Sequence, residues 1–448
     1  MTRIQPRPDF SPVRGGRVLL ALSGGADSVA LAVMLAHARA EYDLTLFAAH
    51  VDHGIRPESA DDAAFCEALC SALDIPLAIA KIDVPREAAQ SGEGLESAAR
   101  RLRYAALRRF RDELGADVIA LAHHLDDQAE TVLMHMARGA GPEGVCGMRE
   151  RFGDLYRPLL GWRKAELKDY LRERGLDWRE DATNAVADNP RNALRLEVLP
   201  ALERRFPRFA EAAARYARSA QIESDFVAEQ AREYLARRSG RGPFGAWLAL
   251  DPPPHPAILR RAVRALCPQA LDFDQVEALA ALCGERRGRL DIGANFFAER
   301  TGRRLYFVPK RLPQIEAAAL SLDGETRLPG IGSIVARPGA ATPIRDDPHR
   351  QALSAKALAG ATLRTRQPGD RIRPLGDGDK LLSDYFIDKK VDRPLRDAVP
   401  LVAVGHRVLW AAGLGISEES KLTGDGPAVI LEYIPDPTND DGGKYNGE

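Results

Sequence analysis

Cysteine is scarce in this 448-residue chain: five residues, Cys66, Cys70, Cys146, Cys267 and Cys283, an odd number with no C-x-x-C spacing. A disulfide framework and a zinc ribbon are therefore excluded, and a reducing compartment is expected. Lysine is also scarce, ten of the 63 basic residues, so arginine carries almost all the positive charge. No stretch holds the roughly 18 consecutive apolar residues of a bilayer span, and the opening MTRIQPRPDFSPVRGG lacks the apolar core of a secretory leader. No membrane partner and a cytoplasmic location are the expectations. Nor is there an excess of one charge: 63 Lys+Arg against 64 Asp+Glu leave a net charge of −1, which excludes a uniformly basic coat. Any nucleic-acid contact must come from local basic surface. What remains, 45% hydrophobic and 28% charged residues, is globular composition. At roughly 100–200 residues per domain, the length predicts two to four domains.

From residue 17 to about 200, apolar strand-like runs alternate with helical stretches. VLLALS (18–23), TLFAAHVDH (45–53), LAIAKIDV (77–84) and DVIALAHH (117–124) read as buried strands. DSVALAVMLAHARAEY (27–42), ADDAAFCEALCSAL (60–73) and GLESAARRLRYAALRRFRDEL (94–114) read as helices between them. The alternation predicts an α/β domain with a doubly wound parallel sheet, whose ligand sits beyond the carboxyl ends of the strands. Ala201 to Arg238 reads as helix. Residues 201–266 hold twelve Arg against seven Asp+Glu, a basic surface hidden in the whole-chain balance. The cluster DPPPHP (251–256) interrupts it, more helix runs to about Cys283, and short strands follow from Leu290 to Arg345. The expected organisation is a catalytic domain over 1–205, a middle domain over 206–345, helical then β-rich, a smaller α+β domain over 350–434 with one helix (Leu381–Ile387), and a disordered tail, 435–448.

The sharpest local signal is Ser23-Gly24-Gly25-Ala26-Asp27-Ser28, where a buried strand turns into a helix. Glycines let backbone N–H groups approach an anion, and the hydroxyls and helix N-terminus add donors, so a polyphosphate fits. The loop lacks the G-K-[ST] ending of a Walker A motif. Its bland alternative is a glycine turn with Asp27 or Ser28 capping the helix. A second cluster is His123-His124-Leu125-Asp126-Asp127-Gln128-Ala129-Glu130-Thr131. Asp127 and Glu130, three apart, share a helix face. The three acids could hold magnesium, grip an ammonium or accept its proton, whereas the bland reading makes Asp127 and Glu130 a D-x-x-E capping box. His50 and His53 have no third ligand at metal spacing and read as strand-end contacts to a nucleotide.

SGGADS in this setting resembles the signature of the N-type ATP pyrophosphatases, the PP-loop family, with its adenine-nucleotide α-hydrolase-like fold. The resemblance extends to one branch, the tRNA(Ile)-lysidine synthetases. It runs through His50-Val51-Asp52-His53-Gly54-Ile55-Arg56, Gly94-Leu95-Glu96-Ser97-Ala98-Ala99-Arg100 with Arg103-Tyr104, and the His123–Thr131 block. Arg157-Pro158-Leu159-Leu160, Asp181-Ala182-Thr183-Asn184 and Arg191-Asn192-Ala193-Leu194-Arg195 extend it. Arg366-Gln367-Pro368-Gly369-Asp370-Arg371-Ile372-Arg373 and Asp384-Tyr385-Phe386-Ile387-Asp388-Lys389-Lys390 match the family's terminal domain, and their cations beside Tyr385 and Phe386 suit RNA backbone and base stacking. Val391-Asp392-Arg393-Pro394 departs from its usual pattern, and residues 205–345 match only loosely.

The resemblance implies adenylation of the C2 carbonyl oxygen of a wobble cytidine in the CAU anticodon of tRNA(Ile). Attack by the ε-amine of free L-lysine follows, and AMP and pyrophosphate leave. It implies ATP with Mg2+ as cofactors and a homodimer as the assembly to test. ATP would lie on Ser23, Gly24, Gly25, Ala26, Asp27, Ser28, His53 and Arg100, with magnesium carried by ATP and Asp27 its candidate protein ligand. Asp127, Glu130 and His124 would bind lysine, with Asp27, Asp127 and Glu130 catalytic. Arg191, Asn192, Arg195, Arg371, Arg373, Lys389 and Lys390 would meet tRNA; for the arginines near residue 191, a solvated helix face is the alternative. A PP-loop cytidine thiolase is the nearest rival, but it would use C-x-x-C cysteines that this chain lacks. A non-catalytic RNA-binding protein is the rival of another class.

Overall fold

The computed structural model describes residues 8–52, 59–180, 190–242, 245–293, 295–311, 315–340, 342–344, 347–422 and 426–436. They divide into two compact units, one up to Asp225 and one from Phe226. In the first, β1 (Arg17–Ala21), α1 (Ala26–Tyr42), β2 (Thr45–Asp52), α2 (Ser59–Ala72) and β3 (Leu77–Lys81) follow in turn. Next come α3 (Val84–Ser91), α4 (Leu95–Leu114), β4 (Val118–Ala120), α5 (Leu125–Ala137), β5 (Arg151–Phe152), β6 (Leu155–Tyr156) and α6 (Lys164–Arg172). The strands form one sheet in the order β3-β2-β1-β4-β6-β5, parallel except for the β5–β6 pair. The expected doubly wound sheet is present. Its order reverses between β1 and β4, where ligands of such sheets bind.

Alternation along β1 explains the layers. Val18 and Leu20 pack with Val29 and Val33 of α1 and Cys66 of α2, while Leu19 packs with Leu107 and Phe110 of α4 and Ile119 of β4. Each strand residue thus buries its side chain against one of two helical layers, which is why the strands are apolar throughout rather than alternating. Two local differences from expectation have simple causes. β3 stops at Lys81 because the Asp83 side chain caps a new helix, α3, accepting from the Arg86 N–H at 3.1 Å. The helix expected from Ala201 is broken by Phe206 and Pro207 into α8 (Leu199–Arg205) and α9 (Phe209–Arg238), after the short α7 (Pro190–Ala193) and a wide turn at Leu194–Val198.

The second unit differs more. After α9, which ends at Arg238 as the helical stretch was expected to, β7 (Ser239–Gly242) and β8 (Gly245–Ala249) form a hairpin ahead of the Pro cluster. After α10 (Pro256–Leu266) and α11 (Phe273–Gly284), β9 (Arg287–Asp291), β10 (Phe296–Thr301) and β11 (Arg304–Pro309) complete a sheet in the order β7-β8-β11-β10-β9. Leu248, Leu305 and Phe307 of that sheet bury against Leu259, Val263 and Leu279 of the two helices.

Beyond it lie β12 (Ala318–Ala319), β13 (Gly324–Leu328), β14 (Gly332–Gly339), β15 (Arg350–Ser354), β16 (Thr362–Arg364), β17 (Arg371–Ile372) and β18 (Lys380–Leu381). Then come α12 (Leu382–Asp388), β19 (Leu401–Val404), β20 (Arg407–Ala411), β21 (Gly415–Ile416) and β22 (Ala428–Pro435). β14 pairs along its whole length with β22, and Ile334 shares a core with Leu353 and Leu431. The expected break between residues 345 and 350 therefore falls inside one sheet, because the partner strand is supplied by residues 428–435. No helix among the described residues is long and apolar enough to cross a membrane. All five cysteines are buried and free.

Candidate active site

The loop after β1 is built by its own small side chains. Gly24 has φ +83°, a conformation that costs a residue with a β-carbon about 1–2 kcal/mol. The Ser23 N–H donates to Ser28 Oγ (3.2 Å), the Gly25 N–H to Ser23 Oγ (3.4 Å), and Ser28 Oγ to the Gly25 carbonyl (3.0 Å). The Arg179 N–H donates to the Gly24 carbonyl (2.9 Å), and its Nε to Asp62 (3.0 Å), so the segment after α6 braces the loop from outside. Arg179 was not foreseen, since it lies far along the chain and in no motif. The loop thus begins α1 with an open N-terminus, an arrangement suited to anions.

Asp27, in the first turn of α1, meets the start of α5. His124 is the N-cap of α5: its Nδ1 accepts from the Asp127 N–H (3.2 Å), and its own N–H donates to Asp127 Oδ2 (3.0 Å). The capping box is therefore His124 with Asp127, not Asp127 with Glu130. Because Nδ1 is an acceptor, the neutral ring carries its proton on Nε2, which lies 3.7 Å from Asp27 Oδ2 and 3.5 Å from Asp127 Oδ2. Asp27 Oδ1 is buried without a hydrogen-bond partner among the described residues, and burial raises its carboxyl above the usual range despite His124 and Lys164. Burial pushes Asp127 the same way, but His124, His123, the His124 N–H and Arg191 together outweigh it and hold Asp127 low.

Asp127 and Glu130 are brought together as expected, and Glu130 is only 1% exposed. Arg191 and Arg195, expected on RNA phosphate, close on these acids. Arg195 donates to Glu130 through Nε (2.6 Å) and Nη2 (2.9 Å) and to Asp127 Oδ1 (3.3 Å). Arg191 donates to Glu130 (2.9 Å) and to Asp127 (3.4 Å). Asn192 lies between them on α7. Asp126 is parted from the other acids: it accepts from the Lys164 N–H (2.8 Å) and pairs with Arg163 (2.7 Å), which also holds Glu203 (2.8 Å). Among the described residues no group of three or more His, Cys, Asp and Glu could hold a metal ion.

Elsewhere the picture is mixed. Arg100 is exposed beside the Tyr104 ring, 5.2 Å from its centroid. His53 and the block 181–184 lie outside the described residues. His50 is buried, its Nδ1 2.9 Å from the Leu22 carbonyl beneath the loop. In the second unit Arg371 donates to Asp379 (2.7 Å), and Glu418 is lowered chiefly by the Gly376 N–H, with Lys421 and lastly Arg373 adding to it. Lys389 and Lys390 follow α12 at the surface, Lys389 Nζ 5.7 Å from the Tyr385 ring. Tyr385 and Phe386, expected to stack on bases, are instead 2% and 0% exposed and belong to a core with Leu401 and Val408.

A family model described as the PP-loop domain matches residues 4–202, and one described as the TilS substrate C-terminal domain matches residues 361–432. The tRNA(Ile)-lysidine synthase of Symbiobacterium thermophilum is 36% identical over 438 residues, spanning 89% of this chain and 90% of that one. That of Thermus thermophilus is 37% identical over 401 residues, spanning 89% and 69%. That of Caldanaerobacter subterraneus subsp. tengcongensis is 30% identical over 436 residues, spanning 93% of each. With the phosphate loop, the acids at α5 and both ends of the chain matched in one order, the chain belongs to the tRNA(Ile)-lysidine synthase family.

Proposed function

We propose that the chain is a C–N ligase that uses ATP to adenylate the C2 carbonyl oxygen of the wobble cytidine in the CAU anticodon of tRNA(Ile). The ε-amine of free L-lysine then joins C2, and AMP and pyrophosphate leave. The observation that carries this reading is the meeting of Asp27 with His124 and Asp127, 3.7 Å and 3.5 Å around one ring nitrogen. It sets a polyphosphate nest against a pair of buried acids. Carbonyl oxygen leaves only once it is adenylated, and an amine of pKa near 10.4 attacks only once it has lost a proton, so both features serve one reaction.

In this reading Ser23, Gly24, Gly25, Ala26, Asp27 and Ser28, with His53 and Arg100, hold ATP. Asp127 and Glu130, with His124, receive lysine. Asp127, held low, stays ionised to grip an ammonium, and Asp127 and Glu130 together would help remove its proton. Mg2+ would ride on the ATP phosphates with Asp27, whose buried, unpartnered Oδ1 suits a hard cation. When bound it would neutralise phosphate charge. Arg371, Arg373, Lys389 and Lys390 would contact tRNA backbone, which positions without reading sequence, while Arg191 and Arg195 would hold the acids they close on.

The thiolase alternative has no support: burial pushes the Cys66 thiol up to about 12 and those of Cys70 and Cys283 to about 11, far from thiolates. A cytoplasmic location and a homodimer belong to the same reading, the latter open to sedimentation measurement. The test is incubation with ATP, labelled lysine and candidate tRNA transcripts, followed by nucleoside analysis. Label at a modified cytidine is expected; label in no tRNA, or only at an aminoacyl ester, refutes the reading.

A further inference from the structure

A second set of groups at the same edge of the sheet has no ion-pair partner among the described residues. Arg103 and Tyr104 of α4, Arg157 directly after β6 and His123 after β4 come together there. Arg157 is 7% exposed; its Nη1 donates to the Arg149 carbonyl (2.9 Å), but its buried Nε has no partner. The buried Nδ1 of His123 has none either. The Arg103 guanidinium lies 5.5 Å from the Tyr104 ring centroid, and Tyr104 also adjoins Arg157.

Among the described residues no carboxylate forms an ion pair with Arg103 or Arg157. Asp154, the nearest acid to act on Arg157, is already held by Arg108 and Arg111 at 2.8 Å each. Asp127, beside His123, is held by Arg191 and Arg195. Burial, with the neighbouring arginines, lowers Arg103 and Arg157, and burial with those two arginines keeps His123 a neutral ring beside them. Burying such groups is costly unless something pairs with them. Guanidinium groups with free N–H donors favour the planar, bidentate geometry of phosphate.

We propose that Arg103 and Arg157, with His123 beside them, hold a backbone phosphate of the RNA substrate next to the reacting cytidine. The polyphosphate already has its nest at residues 23–28, at the start of α1, which packs on one face of the sheet, whereas Arg103 stands on α4, which packs on the other, and Arg157 follows β6. They adjoin Asp127 through His123. A base presented to Asp127 and Asp27 carries its sugar-phosphate outward, and this pocket would receive it. The inference rests on the reaction read above.

The test compares wild type, Arg103→Met and Arg157→Lys by filter binding of unmodified tRNA across a salt series, by titration with a non-hydrolysable ATP analogue, and by lysidine formation. Arg103→Met should raise the tRNA Kd roughly tenfold and flatten the slope of log K against log salt by about 0.7–0.9, the loss of one phosphate contact. ATP-analogue affinity should not change. Arg157→Lys should lose less than Arg103→Met, since it keeps the charge.

A tRNA with a neutral methylphosphonate at a linkage flanking the reacting cytidine should bind wild type equally weakly, and lose nothing further with Arg103→Met. Unchanged tRNA affinity and slope overturn the proposal, as does a loss confined to ATP-analogue binding, which would assign the pocket to the polyphosphate. If Arg103→Met does not fold, the methylphosphonate series on wild type decides alone: full affinity at both flanking linkages overturns the proposal. Wild type that makes no lysidine refutes the reaction instead; active wild type with unaltered variants refutes only this pocket.

Discussion

Arg195 grips Glu130 with two hydrogen bonds, Nε to Oε1 at 2.6 Å and Nη2 to Oε2 at 2.9 Å, on a carboxylate that is 1% exposed. Removing one member of such a pair strands a buried charge. Arg195→Ala should therefore lower unfolding free energy by about 3 kcal/mol, the lower end for a broken buried pair because Arg191 remains on Glu130. Urea denaturation at pH 7 measures it, and Glu130→Gln combined with Arg195→Ala should recover part of the loss.

Asp127→Asn keeps the shape of the α5 N-terminus but removes the charge that would hold an ammonium. Lysidine formation should fall below detection while tRNA affinity stays nearly intact, as read by nucleoside analysis and filter binding on the same preparation. Near-normal turnover would remove Asp127 from the lysine site.

Gly24→Ala forces a β-carbon into φ +83°. Its expected cost is about 1–2 kcal/mol of stability. The KM for ATP should also rise, because the loop N–H groups lose their aim, while the KM for lysine should not.

His123 is held down to about 4 by burial, against the partial help of Asp127. Its folded value lies below the unfolded one, so the unfolded chain binds the extra proton between about pH 6.5 and 4, and stability falls as pH drops through that window. His123→Gln should flatten this decline in a series of thermal melts, with a difference of at most about 1.4 kcal/mol per pH unit. Equal slopes in both proteins would show that His123 is not buried as a neutral ring.

Much of the first unit is legible in the residue string. Continuous apolar runs such as Val18-Leu19-Leu20, alternating with helical stretches, read as strands covered on both faces, and SGGADS at a strand-to-helix turn suggests an anion site before any fold is known. The second unit is harder to read, for a physical reason. β7 and β8 are short and rich in Gly and Ala, and β14 finds its partner in β22, with residues 340–427 lying between them in sequence. Pairing over such separations leaves no local periodicity. Tyr385 and Phe386 show the same limit, since an aromatic pair beside lysines looks alike whether it faces RNA or a core.

The order of residues alone determined the type of chemistry: a glycine turn before a helix, acids three apart on a helical face, and no cysteine pair able to bind metal. These are properties of spacing, and spacing along a strand or helix fixes which side chains share a face. The fold decided which charges neutralise which. Arg191 and Arg195 lie more than sixty residues from Asp127 and Glu130 yet close on them, whereas Arg103 and Arg157 both end beside Tyr104 with no ion-pair partner among the described residues. Coulomb energy depends on distance in space and on burial, and neither is written in the sequence until the sheet has formed.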